Sequence, residues 1–175
     1  ASRTYRMYPP EAFTPATAML AQALELAQTS ELPGFAARVQ FLPDRLGYET
    51  NWLDFAFLAL TVSNPTDVPV TVNTRIDSAL GSKRWRQSGF ELAPGQKVRA
   101  LFPVGKREPI IGMRGQPPVL YARTPIDIEI SRSHGEADWE RISHFQIFMG
   151  RPKTNHTLRL HRAELIRANT PSKTA

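Results

Sequence analysis

The sequence predicts an all-β fold, a β-sandwich or jelly roll carrying one N-terminal amphipathic helix. Three observations point there. Short apolar runs alternate with polar residues at the two-residue period of a strand, and turn residues separate them at regular intervals. Fifteen Pro and ten Gly are scattered rather than repeated, as punctuation between many strands would be. A chain of 175 residues with 41% hydrophobic content can bury the core of one such domain.

Residues 1–12, with Arg3, Tyr5, Arg6, Tyr8 and Pro9-Pro10, read as an extended arm. Thr14-Pro15 reads as an N-cap followed by proline in the first helical turn. Ala16, Met19, Leu20, Ala23, Leu24 and Ala27 then recur at helical spacing, which predicts a helix over 14–29 that packs by its apolar stripe. Pro33-Gly34 breaks it. Phe35, Ala37, Val39 and Phe41 alternate with polar or small residues up to Pro43-Asp44, giving a strand.

Trp52 to Val62 is apolar on both alternating sets of side chains, the pattern of a strand covered on both faces. Asn64-Pro65-Thr66-Asp67 should reverse the chain, since Asn and Asp bond back to local backbone and Pro presets φ. Val68 to Asp77 alternates strictly, with Val68, Val70, Val72, Thr74 and Ile76 on one side and Thr71, Asn73, Arg75 and Asp77 on the wet side. The two strands read as a hairpin. A polar loop, Ser78 to Ser82, leads to Lys83-Arg84-Trp85-Arg86-Gln87-Ser88-Gly89-Phe90, and Leu92 to Gln96 is a turn. Val98, Ala100 and Phe102 mark another strand.

Residues 103–125 are rich in Pro and Gly and too long for a simple hairpin connection; loops of that length are usually functional or disordered. Ile126, Ile128 and Ile130 form a strand, Ser131 to Glu140 is polar, and Phe145, Ile147 and Met149 form the next. After Gly150-Arg151-Pro152 a last strand runs from Thr157 to Ile166. The sandwich is thus expected over 13–168, with a tail at 169–175.

The net charge of +6 is unevenly placed: Lys83 to Glu108 holds seven basic and two acidic residues, and Arg151 to Ala175 six and one. Such clustering favours an anionic partner or makes a solvated face. The absence of cysteine removes disulfides and thiolate chemistry. No apolar run approaches the roughly 18 residues needed to span a bilayer, so no membrane span is expected. The start at Ala1 rather than Met reads as a removed leader or a trimmed end.

Signatures of catalysis are missing. The four histidines, His134, His144, His156 and His161, make no HExxH pattern, and there is no GxSxG elbow, P-loop or GxGxxG. Asp127, Glu129, Asp138 and Glu140 fit solvated positions along a strand and a loop. His134 with Glu136 and Asp138 can be sketched as a metal site, although ligand-type residues fall together on a polar loop by chance. His144, alternating with Phe145, reads as a surface or interface residue. Arg84-Trp85-Arg86 could grip phosphate and stack a base. No RNA-binding motif, zinc spacing or helix-turn-helix accompanies it, so no nucleic-acid partner is expected.

Phe35 to Pro43, Trp52 to Asp77 and Phe90-Glu91-Leu92-Ala93-Pro94-Gly95 follow one another as in a known family, as do Gly112-Met113-Arg114-Gly115 in the long loop and Trp139 to Pro152. In order and spacing, residues 33–166 resemble the N-terminal non-catalytic β-sandwich that precedes the barrel in exo-type β-agarases. The resemblance implies a galactose-binding-like jelly roll that binds agar-type glycan or shapes the channel of a neighbouring barrel. Nine residues follow Ile166, so the family's barrel and its catalytic glutamates have no counterpart in these residues. The resemblance also implies a structural calcium contacted from the last strand. His161 stands where the family has Asp, which argues against calcium, and no cofactor is expected.

The expectation is therefore a non-catalytic carbohydrate-binding module for a marine-type or anionic polysaccharide, periplasmic or secreted, working with a separate catalytic protein. Sugar rings would stack on Trp85, whose neighbours Arg84 and Arg86 imply exposure. Arg114 and Tyr121 in the long loop would assist, and Lys106 and Arg107 would meet anionic groups. Trp52 and Trp139 lead into buried strands and belong to the core. The opposing expectation is an accessory domain that docks on an enzyme or cell-envelope partner through the helix and the basic face.

Overall fold

The computed structural model describes residues 5–8, 13–18, 24–28, 38–79, 83–107, 119–120, 127–130, 133–149 and 156–171. These form thirteen strands and one short helix: β1 (Tyr5–Tyr8), β2 (Phe13–Ala18), β3 (Leu24–Gln28), β4 (Arg38–Phe41), α1 (Pro43–Leu46), β5 (Phe55–Ser63), β6 (Val70–Ser78), β7 (Trp85–Leu92), β8 (Lys97–Pro103), β9 (Val119–Leu120), β10 (Asp127–Ile130), β11 (Ser133–Gly135), β12 (Ile142–Met149) and β13 (His156–Pro171). They make a β-sandwich of two mixed sheets. The larger runs β1-β10-β8-β5-β13-β2, with β3 also on β13. The smaller runs β11-β7-β6-β12-β4, with β9 on β7. Most pairs are antiparallel; β10 with β8 and β9 with β7 are parallel.

Strand β5 is central in the larger sheet, between β8 and β13. Its run of six consecutive buried residues from Phe55 is the two-sided apolar pattern expected of it. Leu58, Leu60 and Val62 face the main core, whereas Phe57 and Ala59 join Leu101 and Ile166 in a second, smaller cluster behind the sheet. Strand β6 shows strict alternation of buried and half-buried residues. The two strands do not form the expected hairpin. Strand β6 pairs with β7 and β12 in the opposite sheet, so Asn64 to Pro69 carries the chain from one layer to the other.

Asn64 makes that crossing. Fully buried, it donates its amide to the carbonyls of Val68 (2.7 Å) and Leu92 (3.1 Å), and its Oδ1 accepts from the Thr66 backbone N–H (2.9 Å). Its own backbone bonds Gln96 O and Gly95 N across the neighbouring turn. That turn, Ala93 to Gln96, carries the chain back from β7 to β8, again between layers. Asn64 therefore ties the two crossovers together.

The helix expected over 14–29 is not formed where the chain is described: 13–18 and 24–28 are strands. Strand β13 is sixteen residues long and pairs with β5 along one side. Strands β3 and β2 occupy its other side in turn, satisfying backbone groups that an open edge would leave bare. Leu24 and Leu26 alternate around Glu25 as readily as they fit a helical stripe, so both periods were present in the residues. The expected arm contains β1, paired with β10, and β13 carries strand through Pro171 into the expected tail.

The basic stretch after Lys83, to which the sequence assigns no element, forms strand β7 from Trp85. Arg86, Ser88, Phe90 and Leu92 face inward, opposite Ile76, Thr74, Val72 and Val70. Two of those inward residues are polar, which hid the alternation. The core is completed by aromatics: Phe41 and Phe145 stack at 4.8 Å between ring centres, with Tyr48 and Trp52 packed around them. Trp52 and Trp139 are both buried, as expected. Burial pushes the Tyr48 phenol well above its usual range, and its hydroxyl donates to the Phe41 carbonyl.

Replacing Asn64 by Ala takes its amide donor from the buried Leu92 carbonyl, leaves Val68 O with only the Thr66 hydroxyl, and frees both crossovers. A loss of about 3 kcal/mol is expected, read as a lower urea midpoint; a loss below about 0.5 kcal/mol would contradict this role for Asn64.

Candidate functional site

Strand pleating gives the smaller sheet two faces, and register fixes which residues share the outer one. Directly paired across it lie Trp85 with Asp77 and Asp77 with His144; next Gln87 with Arg75 and Arg75 with Gln146; next Gly89 with Asn73 and Asn73 with Phe148. Strand β11 places His134 beside Gln87, and β4 places Gln40 beside Gln146. The wet face inferred for β6 is thus the middle of a broad polar surface.

Trp85 stands on it. At 37% exposure it is the exposed large apolar side chain among the described residues. The guanidinium of Arg75 lies over its ring at 4.8 Å, a cation–π contact that orients the indole. Arg75 Nε in turn donates to Asp77 Oδ1 at 3.0 Å. The other carboxylate oxygen accepts from Gln146 Nε2 at 3.1 Å and lies 3.5 Å from His144 Nε2. A register shift at Ser143 brings its hydroxyl to 3.0 Å from His144 Nδ1. Asp77 is therefore the acceptor that holds arginine, amide and imidazole in place around the tryptophan. Gly135, at φ +80, packs against the Trp85 backbone and ring, where a Cβ would collide with the Trp85 carbonyl.

Of the residues expected to bind, the structure brings only some to this surface. Trp85 is exposed, as expected, and Arg84 beside it is exposed. Arg86 is corrected: it points into the sandwich at 5% exposure, with Nε donating to Gly135 O (3.1 Å) and NH1 to Pro103 O (3.0 Å), and its guanidinium lies over Trp139. Alternation along a strand puts Arg86 on the face opposite Trp85, so flanking a platform does not mean sharing it. Desolvation lowers the pKa of Arg86, and nearby Glu136 offsets part of that.

Lys106 is exposed and sits 3.4 Å from the exposed Asp54. Arg107 is bound to buried Glu129 at 2.7 Å and covers Phe57, so it serves the fold rather than the solvent. Arg114 and Tyr121 lie outside the described residues.

Of the four acids expected in solvent, Glu140 is exposed and Asp138 half-buried, and two are corrected. Asp127 and Glu129 are buried on the outer side of the larger sheet. There Arg99 meets Asp127 at 3.0 Å and Glu164 at 3.3 Å, and Arg162 meets Glu164 at 3.0 Å. Of the basic stretch from Lys83, Arg86, Arg99 and Arg107 are thus engaged by the fold, whereas Lys83, Arg84, Lys97 and Lys106 are exposed.

Among the described residues no three His, Asp or Glu side chains gather as metal ligands would, so His134, Glu136 and Asp138 do not make the sketched site. His161 occupies a register shift in β13, with Nε2 2.7 Å from Ser63 Oγ. Partial burial, then Lys97 and Arg159, lower its pKa.

Sequence reasoning missed Arg75, Asp77, Gln87 and Gln146 as site residues. The strict alternation of β6 was the available signal, because it already set Arg75 and Asp77 on one exposed side.

Solved structures share this fold. An agarase, AgWH50C, superposes with a TM-score of 0.62 at 18% identity, covering 91% of this chain and 24% of that one. PfGH50B and an exo-β-agarase each give a TM-score of 0.59, at 12% and 11% identity, covering 98% of this chain and 23% of theirs. At such identities the likeness is one of fold, and the chain spans about a quarter of the length of these proteins. No protein-family profile matches the chain, and no curated protein does.

Two outcomes follow. Arg86→Lys keeps the charge but cannot serve both carbonyls, and should cost about 2 kcal/mol of stability in urea unfolding; an unchanged midpoint would show the buried guanidinium to be dispensable. His161 has a folded pKa below the unfolded value near 6.5, so its contribution is present above that pH and is lost as pH falls through the unfolded value toward the folded one. Stability measured across that window should fall less steeply with acid in His161→Gln than in the parent.

Proposed function

We propose that this chain is a non-catalytic glycan-binding module whose platform is Trp85. The observation that carries the reading is the exposed indole, steadied by Arg75 and set among amide, imidazole and carboxylate side chains. A sugar presents C–H groups to the aromatic face and hydroxyls to such neighbours, so the arrangement fits a pyranose chain. Aromatic rings held rigidly bind at low entropic cost. The likeness in fold to part of several agarases supports an agar-like galactan as the polymer, with hydrolysis carried out by protein outside these residues. Arg84 and Lys106 remain exposed and would add charge-assisted bonds to an anionic galactan. A polymer of this size is met outside the cytoplasm, which supports a periplasmic or secreted setting. Arg114 and Tyr121, in the long Pro- and Gly-rich stretch, are kept as second contacts.

Docking on an enzyme or envelope partner remains the opposing reading, but it loses its helix to β2 and β3, and Arg86, Arg99 and Arg107 of its basic face to contacts within the fold.

Affinity electrophoresis through gels containing agarose, carrageenan or alginate tests the reading. The folded chain should be retarded by at least one polymer, and Trp85→Ala should abolish the shift. Equal mobility in every gel would overturn glycan binding.

A further inference from the structure

The polar residues on the outer face of the smaller sheet are not scattered. His134, Gln87, Arg75, Gln146 and Gln40 stand on β11, β7, β6, β12 and β4, each directly paired with the next. Five adjacent strands therefore each contribute one polar side chain to a single row; Gln146 lies buried in it with its Nε2 bonded to Asp77, Arg75 and Gln87 are half-buried, and His134 and Gln40 are exposed. Along the strands the pattern is interrupted: β7 continues from Gln87 to Gly89, and β12 from Gln146 to Phe148. At Gly89 an added Cβ would strike Asn73 Oδ1, so the side chain of Asn73 occupies that place.

We propose that the glycan lies across the strands along this row, and that the module grips an internal stretch of polymer rather than a chain end. The proposal rests on the glycan reading above. Neighbouring strands are about 4.8 Å apart, so four strand-to-strand steps span about 19 Å. That spacing is close to the advance of one pyranose ring in an extended polymer, which makes the row about four rings long. Trp85, two residues from Gln87 on β7 and steadied by Arg75, stacks one ring toward the His134 end of the row. Gln40 and His134, both exposed, mark the two ends.

The test is a length series of oligosaccharides of two, four and six rings, prepared from agarose, κ-carrageenan and alginate. Longer oligomers are titrated by calorimetry, and the disaccharides by the NMR shift of the Trp85 indole. Affinity should rise from two rings to four and then level off. Gln40→Ala and His134→Ala should each weaken binding of the longest oligomer by about three- to tenfold, the value of one hydrogen bond, while the disaccharide shift is unchanged. Trp85→Ala should lose the four- and six-ring oligomers in the calorimeter. Affinity that levels off at two rings, or end variants that bind as the parent does, would overturn the crosswise row while leaving glycan binding intact. Absence of binding at every length in all three series would overturn both.

Discussion

Asn64 is the residue on which the layered arrangement depends. A sandwich needs its chain to leave one sheet and enter the other, and each such crossing exposes backbone groups that no ladder satisfies. Here the crossings from β5 to β6 and from β7 to β8 lie side by side. One buried carboxamide bonds backbone belonging to both. Because β6 and β7 are the neighbours that carry Arg75, Asp77 and Trp85, the registry of the outer face follows from how these crossings are pinned.

Charge plays two different parts in the molecule. Behind the larger sheet, Arg99, Asp127, Glu164 and the Arg107–Glu129 pair are withdrawn from water. Buried pairs of this kind contribute little net stability over an apolar replacement, yet removing one member leaves a costly orphan charge. They fix which strands may be neighbours more than they hold the sandwich together. On the smaller sheet, Asp77 stays partly hydrated and organises its surroundings instead. A positive total charge therefore says little by itself about what the surface attracts.

Much of the fold could be read in the residues. The alternation of β6, the double-sided burial of β5 and the burial of Trp52 and Trp139 all follow from residue type and period. What could not be read is which sheet each strand joins, because period two is silent about partners. Asn64-Pro65-Thr66-Asp67 has the composition of a tight reversal, and only the distant Leu92 and Gln96 carbonyls reveal it as a crossing. Strand β7 was obscured by Arg86 and Ser88 facing inward, and β2 and β3 by residues that satisfy helix and strand patterns alike. For the site, Trp85 was legible as an exposed ring between two arginines. Its working neighbours come from β6 and β12, and contacts made across strands leave no local mark on sequence.

The length of β13 has a consequence for how the protein is made. Strands β2 and β3, near the start of the chain, pair with residues 156–171, near its end. During synthesis they emerge long before their partner exists, and must stay unpaired while the intervening strands are produced. Closing so large a loop is entropically costly and slow. The waiting segments carry strand-forming sequence with nothing to cover it, the state in which chains associate wrongly. Strand β13 thus acts as the closing step for this sheet, at once joining β5 and drawing in β2 and β3, so the larger sheet is complete only once residues 156–171 have left the ribosome.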